Sequence, residues 1–94
     1  MVRNFYILAY DIADDRRRQK IAKLCESTAE RVQGSVFEAH LTQAELDQLI
    51  KRVGKVFEEK EDSLRIYQLC IDCRQKIRTE GVGSITPEPS LRII

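Results

Sequence analysis

Arg31-Val32-Gln33-Gly34-Ser35-Val36-Phe37-Glu38-Ala39-His40-Leu41 is the stretch whose reading decides the fold. Its β-branched and aromatic residues give it strand character. Ser35, Phe37, Ala39 and Leu41 line one face, with Val32 and Val36 on the other. Gly34 suggests a bulge or a close backbone approach. Taken as one strand, the stretch leaves a single strand between two helices. Bent or broken near its middle, it supplies two strands, and the order around it becomes β-α-β-β-α-β. The broken form is the expectation adopted.

On its N-terminal side, residues 4–10 form an expected strand, rich in aromatic and branched residues and free of turn formers. Phe5, Ile7 and Ala9 point one way and Tyr6, Leu8 and Tyr10 the other. Apolar side chains on both faces mark a central strand. The strand ends at Asp11. Asp14 suits the N-cap of the next element, with Asp15 in its first turn, where the helix dipole favours an acid. Ile21, Leu24, Cys25, Thr28 and Ala29 recur at helical spacing, which predicts a helix over about 15–29.

On its C-terminal side, Thr42-Gln43-Ala44-Glu45 fits a capping box, with Leu41 and Leu46 spaced for a hydrophobic staple. Leu46, Leu49, Ile50, Val53, Val56 and Phe57 make an apolar stripe. Gly54 interrupts it at about 1 kcal/mol relative to alanine. The acidic run Glu58-Glu59-Lys60-Glu61-Asp62 is most simply a solvated helix end and turn. A strand follows over 63–71, with Leu64, Ile66 and Cys70 opposite Tyr67, Leu69 and Ile71. Residues 75–79 could add a short strand. Gly81 and Gly83 mark a turn, Pro87 and Pro89 keep the next stretch extended, and Leu91-Arg92-Ile93-Ile94 is a β-prone tail.

These elements predict an α+β fold: a ferredoxin-like β-α-β-β-α-β sandwich over 1–80, with a C-terminal β tail over 81–94 docking on a sheet edge. Both helices then cover one face of the sheet. Tyr6, Leu8 and Tyr10, together with Tyr67, Leu69 and Ile71, make both faces apolar. The second face needs a cover, and a second copy is the simplest, giving a two-fold homodimer. A chain of 94 residues is marginal alone, which argues the same way.

Composition sets limits. Sixteen Lys and Arg against fifteen Asp and Glu leave a net charge of +1, so the global charge neither favours nor excludes nucleic acid. No apolar run is long enough for a membrane helix. The N-terminus lacks a signal-like pattern, and the cytoplasm is the expected location. Three cysteines argue against a disulfide framework. Cys70-Ile71-Asp72-Cys73 stands without a second pair, and His40 is the only histidine, so a structural zinc site is disfavoured. A redox motif would open a helix, whereas Cys70 is expected to end a strand. Packed or free thiols are the simpler reading. There is no aromatic signature of a single-stranded-RNA-binding sheet.

Chemistry concentrates around Asp11. One carboxylate is a poor divalent-metal site. Two, one from each subunit of a dimer, would hold Mg²⁺ or Mn²⁺ with water completing the shell. Arg16, Arg17, Arg18 and Arg31 suit phosphates, which guanidinium groups grip bidentately. As structure alone, Asp14 and Asp15 cap a helix, Arg16 and Lys20 lie on a solvated face, and Tyr10 and Phe37 belong to the core.

Tyr10-Asp11-Ile12, then Asp14-Asp15-Arg16-Arg17-Arg18, then Arg31-Val32-Gln33 with Ser35-Val36-Phe37-Glu38, then Arg65-Ile66-Tyr67 with Leu69-Cys70, resemble in order and spacing the Cas-two family of CRISPR-associated proteins. The resemblance covers almost the whole chain. It implies a ferredoxin-like homodimer that binds a divalent metal through Asp11. It implies work beside the Cas-one integrase in acquiring foreign DNA spacers. It also implies a metal-dependent endonuclease activity that members show variably, on single-stranded RNA or double-stranded DNA. The family's Tyr, Arg and Phe positions fall here on Tyr10, Arg17, Arg31 and Phe37, which with Asp11 make up the implied catalytic set. Arg16, Arg17, Arg18 and Lys20 are the expected nucleic-acid contacts. Ala13 stands where many members carry a Ser or Thr cap. Two alternatives stay open: a non-catalytic DNA-binding scaffold of the integration complex, and a VapD-like ribonuclease toxin.

Overall fold

The computed structural model describes residues 2–83, 85 and 86. The chain runs β1 (Asn4–Asp11), α1 (Asp15–Glu26), β2 (Glu30–Gln33), β3 (Val36–Leu41), α2 (Gln43–Gly54), β4 (Ser63–Leu69) and α3 (Ile71–Gln75). The deciding stretch is broken. A turn at Gly34 and Ser35 separates β2 from β3, and the register between them shifts between Arg31 and Gln33. The irregularity therefore sits at Val32, not at the glycine. The glycine lies in the turn itself.

The four strands form one sheet in the order β2-β3-β1-β4. Every pairing is antiparallel. β1 is central because it can bury side chains on both faces. Tyr6, Leu8 and Tyr10 enter one core with Phe37, Ala39 and Leu41 of β3, with Ile21, Ala22 and Cys25 of α1, and with Leu46, Leu49 and Val53 of α2. Burying a large apolar side chain of this kind contributes roughly 1.5–3 kcal/mol. The faces differ from the expected grouping. Tyr67 is paired with Ile7 and Leu69 with Phe5, so these residues lie opposite the helices, while Ile66 and Leu64 pair with Leu8 and Tyr10 on the helix side.

Helix α1 starts where Asp14 accepts a hydrogen bond from the Arg17 amide at 3.0 Å. It stops at Glu26, short of the expected 29, and Ala29 N–H still bonds back to the Cys25 carbonyl at 2.8 Å. The capping box forms as expected: Glu45 N–H donates to Thr42 Oγ1 at 3.2 Å and Thr42 N–H to Glu45 Oε1 at 2.8 Å. Ile50 leaves the expected stripe and is 40% exposed, one step round the helix from buried Leu49 and Val53. Gly54 is the last helical residue, so its propensity cost falls where the helix ends anyway.

Two expectations on the C-terminal side fail. Residues 75–79 form no strand, because α3 occupies Ile71–Gln75 and ends on a Lys76 cap. Cys70 does not end β4. It caps α3, accepting at Sγ from the Cys73 amide at 3.3 Å. The tail strand expected over 91–94 lies outside the described residues. Thr86, which is described, is tied to the sheet. Its N–H and Oγ1–H both donate to Glu38 Oε1, at 3.0 and 2.7 Å, and its carbonyl accepts from His40 Nε2 at 3.0 Å and Arg74 Nη2 at 3.0 Å. A carbonyl can only accept, so His40 carries its proton on Nε2.

Candidate nucleic-acid and metal site

Asp11 is the last residue of β1, paired with Ser63 at the start of β4. Its side chain is exposed and makes no hydrogen bond or ion pair with the described residues. A shallow, open depression beside it is lined by Tyr10, Asp11, Ile12, Arg18, Gly34 and Ser35. The loop from β1 into α1 forms one wall and the β2–β3 turn the other.

The depression gathers some of the expected residues and leaves others out. Tyr10 lines it but is buried, and its hydroxyl donates to the Gly34 carbonyl at 3.4 Å. Burial raises its pKa above the ordinary phenol value, so it keeps its proton at neutral pH and is not a base. Tyr10 stacks on fully buried Phe37, with ring centroids 6.1 Å apart. The Arg31 guanidinium lies over the other aromatic partner, 5.2 Å from the Phe37 centroid, and pairs with Glu26 at 2.7 Å. Tyr10, Phe37 and Arg31 thus form a column running from the depression to the edge strand.

The arginine run divides by function. Arg18 donates through Nε and Nη2 to the Ile12 carbonyl, at 3.2 and 3.0 Å, and pairs with Asp15. It pins the loop that follows Asp11. Arg16 and Lys20 are exposed. Arg17 turns away, toward Asp62, donating Nε to Oδ2 at 2.9 Å and Nη2 to Oδ1 at 3.2 Å, with Glu61 at 3.0 Å as a further partner.

Asp62 is the residue the sequence reading missed. It was placed in a solvated acidic run, yet its side chain is 0% exposed. Besides Arg17 it accepts from the Ala13 amide at 3.1 Å and the Glu58 amide at 2.9 Å. One carboxylate therefore clamps the β1–α1 loop, helix α1 and the approach to β4. The Arg17 guanidinium and the two amides hold its carboxyl at about 2, well below the usual carboxylate range. The available signal was position: Asp62 immediately precedes the strand that pairs with the end of β1.

A metal ion fits Asp11 only in part. Its exposed, uncommitted oxygens are hard donors of the type Mg²⁺ and Mn²⁺ take. Among the described residues, however, no three carboxylate, histidine or cysteine side chains converge on one point. Among the described residues, Asp11 is the one carboxylate lining the depression.

Comparison with known proteins agrees with the residue pattern. A family model described as CRISPR associated protein Cas2 matches residues 4–77. The chain is 42% identical over 89 residues to the CRISPR-associated endoribonuclease Cas2 3 of a Synechocystis species, covering 95% of this chain and 97% of that one. The Streptococcus pyogenes Cas2 crystal structure superposes with a TM-score of 0.73 at 33% identity, covering 82% of this chain and 99% of the other. A chain from a partial Cas6-RT-Cas1–Cas2 complex superposes with a TM-score of 0.74 at 25% identity, covering 90% of this chain and 96% of the other. With the match spanning every strand of the sheet and the helices α1 and α2, this chain belongs to the CRISPR associated protein Cas2 family.

Proposed function

We propose that this chain is a CRISPR adaptation protein, acting as a homodimer beside a Cas1 integrase in acquiring DNA spacers, with a metal-dependent endonuclease activity centred on Asp11. The observation that carries the reading is the exposed carboxylate of Asp11 at a strand end, unpaired among the described residues and lining an open depression together with Arg18. The name of the Synechocystis relative supports nuclease chemistry, and the Cas1–Cas2 complex supports the integrase partner. The sheet order, with α1 and α2 each linking strands that are not neighbours, supports a ferredoxin-like arrangement. The match over 4–77 favours this family over a VapD-like toxin.

In this reading Asp11 and Asp11 of the partner subunit would hold Mg²⁺ or Mn²⁺, which would supply water activation and charge neutralisation at a phosphate. Exposed Arg16 and Lys20 meet backbone phosphates of single-stranded RNA or double-stranded DNA. Arg18 fixes the loop after Asp11, Arg17 holds the same loop through Asp62, and the Tyr10–Phe37–Arg31 column shapes the wall of the depression. The apolar strip opposite the helices, with Ile7, Ala9 and Leu69 half-buried and Tyr67 48% exposed, supports a second copy as its cover.

Asp11→Ala tests the nuclease reading. Metal-dependent cleavage of RNA and DNA oligonucleotides should fall to background, while sedimentation still reports a dimer. Undiminished cleavage by a folded Asp11→Ala dimer would falsify it. That Asp11 is the one carboxylate lining the depression among the described residues favours one second reading, a scaffold without catalysis. In that case spacer acquisition survives Asp11→Ala, and Arg16→Ala weakens DNA binding with a shallower salt dependence.

A further inference from the structure

The first turn of α3 carries a pair of thiols that the proposed function does not use. Cys70 and Cys73 are both exposed, whereas Cys25 is buried in the core. Residues three apart in a helical turn present neighbouring side chains, within the separation a disulfide spans without backbone movement. Cys70 Sγ accepts from the Cys73 amide at 3.3 Å, which seats the two side chains on one turn. The turn is held in place from below. Arg74 lies over the Phe5 ring, 5.4 Å from its centroid, and donates to the Thr86 carbonyl at 3.0 Å. A recess lined by Arg3, His40, Cys70, Ile71 and Arg74 reaches Cys70. Two sulfurs fall short of the four ligands of a structural zinc site, and no further ligand joins them among the described residues.

We propose that Cys70 and Cys73 form a thiol–disulfide exchange site for disulfides of small thiols, with Cys70 as the attacking sulfur and Cys73 as the resolving one. The Cys70 thiolate attacks one sulfur of the small-molecule disulfide. A mixed disulfide forms on Cys70 and one small thiolate leaves. Cys73, its proton lost to solvent, then attacks Cys70 Sγ and expels nothing but the second small thiolate. Two protein thiols are oxidised to one disulfide while the small disulfide is reduced to two thiols. The roles follow from the cap: the Cys73 amide donates to Cys70 Sγ at 3.3 Å and lowers the Cys70 pKa, while the neighbouring Cys70 sulfur raises that of Cys73. Burial pushes the Cys25 thiol up to about 11, which takes it out of competition. The site is at the far end of β4 from Asp11: Ser63 pairs with Asp11 and Leu69 with Phe5, roughly 20 Å along the strand.

The test treats the whole protein with graded ratios of oxidised to reduced glutathione, traps free thiols by alkylation and measures intact and peptide masses. Wild type should lose two hydrogens, mapped to one Cys70–Cys73 bond within the chain. Cys73→Ser should accumulate one glutathione per chain on Cys70. Cys70→Ser should take up glutathione at Cys73 about tenfold more slowly. Both positions are exposed, so serine leaves the core packing unchanged. The proposal is overturned if wild type keeps both thiols under excess oxidised glutathione, if the bond forms only between chains, or if the two serine variants react at equal rates.

Discussion

Asp62 keeps a charge with no access to water, and it does so because four donors converge on its two oxygens. Its carboxyl, ordinarily near 3.8, titrates at about 2 in the folded chain. A depressed folded-state value means stability that is complete above the unfolded value and lost as pH falls toward the folded one. The clamp should therefore be intact above about pH 4 and fail between about pH 4 and pH 2. Acid unfolding followed by circular dichroism should show this, and Asp62→Asn should lower the melting temperature at neutral pH while flattening the dependence in that window. An unchanged acid profile would remove the clamp from the account. Arg17→Ala should likewise lower melting temperature, whereas Arg16→Ala should leave it in place. Sequence position marked Arg17 as a phosphate contact because an arginine run beside a helix start is usually solvated. What diverted it was a partner 45 residues away. Local patterns carry no information about such a pairing.

At the scale of single elements, the sequence was most legible where the forces are local. The capping box of α2 needs only Thr42 and Glu45, three residues apart, and both of its hydrogen bonds form. Glu45 also meets Arg3 at 2.6 Å, and the Thr42 amide is the first cause of its lowered pKa. Thr42→Ala should cost about 1 kcal/mol in chemical denaturation, and a loss well under half of that would show the cap to be redundant. The break between β2 and β3 was also legible, from Gly34 and from an element order that needs two strands between the helices. α3 was not. Five residues form too short a helix to show periodicity, and Cys70 is an uncommon cap. The Cys70 cap is local, but the Arg74–Phe5 stack that accompanies it joins residues far apart in the chain.

At the scale of the whole molecule, the sheet has one face committed to the helices and one face only partly covered. The Thr86 segment and Arg74 shield the Phe5 end, where Phe5 is 3% exposed. Tyr67, in the middle of β4, stays 48% exposed beside half-buried Ile7. A second copy seated there would bury this strip, and the proposed metal site needs the same partner. Tyr67→Glu would place a charge in that contact without touching the core of the single chain. Sedimentation should then show a monomer, with metal-dependent cleavage lost alongside the dimer while the melting transition persists. A Tyr67→Glu protein that remains dimeric would move the interface elsewhere.

The sequence by itself determined the four strands of the sheet, α1 and α2 with their Asp14 and Thr42 caps, the central place of β1 and the carboxylate at its end. Each of these follows from side-chain period, backbone propensity or hydrogen bonds spanning a few residues. Only the tertiary structure decided which charges are buried and which are free. It drew Arg17 to Asp62, left Asp11 without a partner among the described residues, and set Tyr67 and Leu69 on the face opposite the helices. Burial and register depend on contacts between residues far apart in the chain, and these exist only once the sheet has closed around β1.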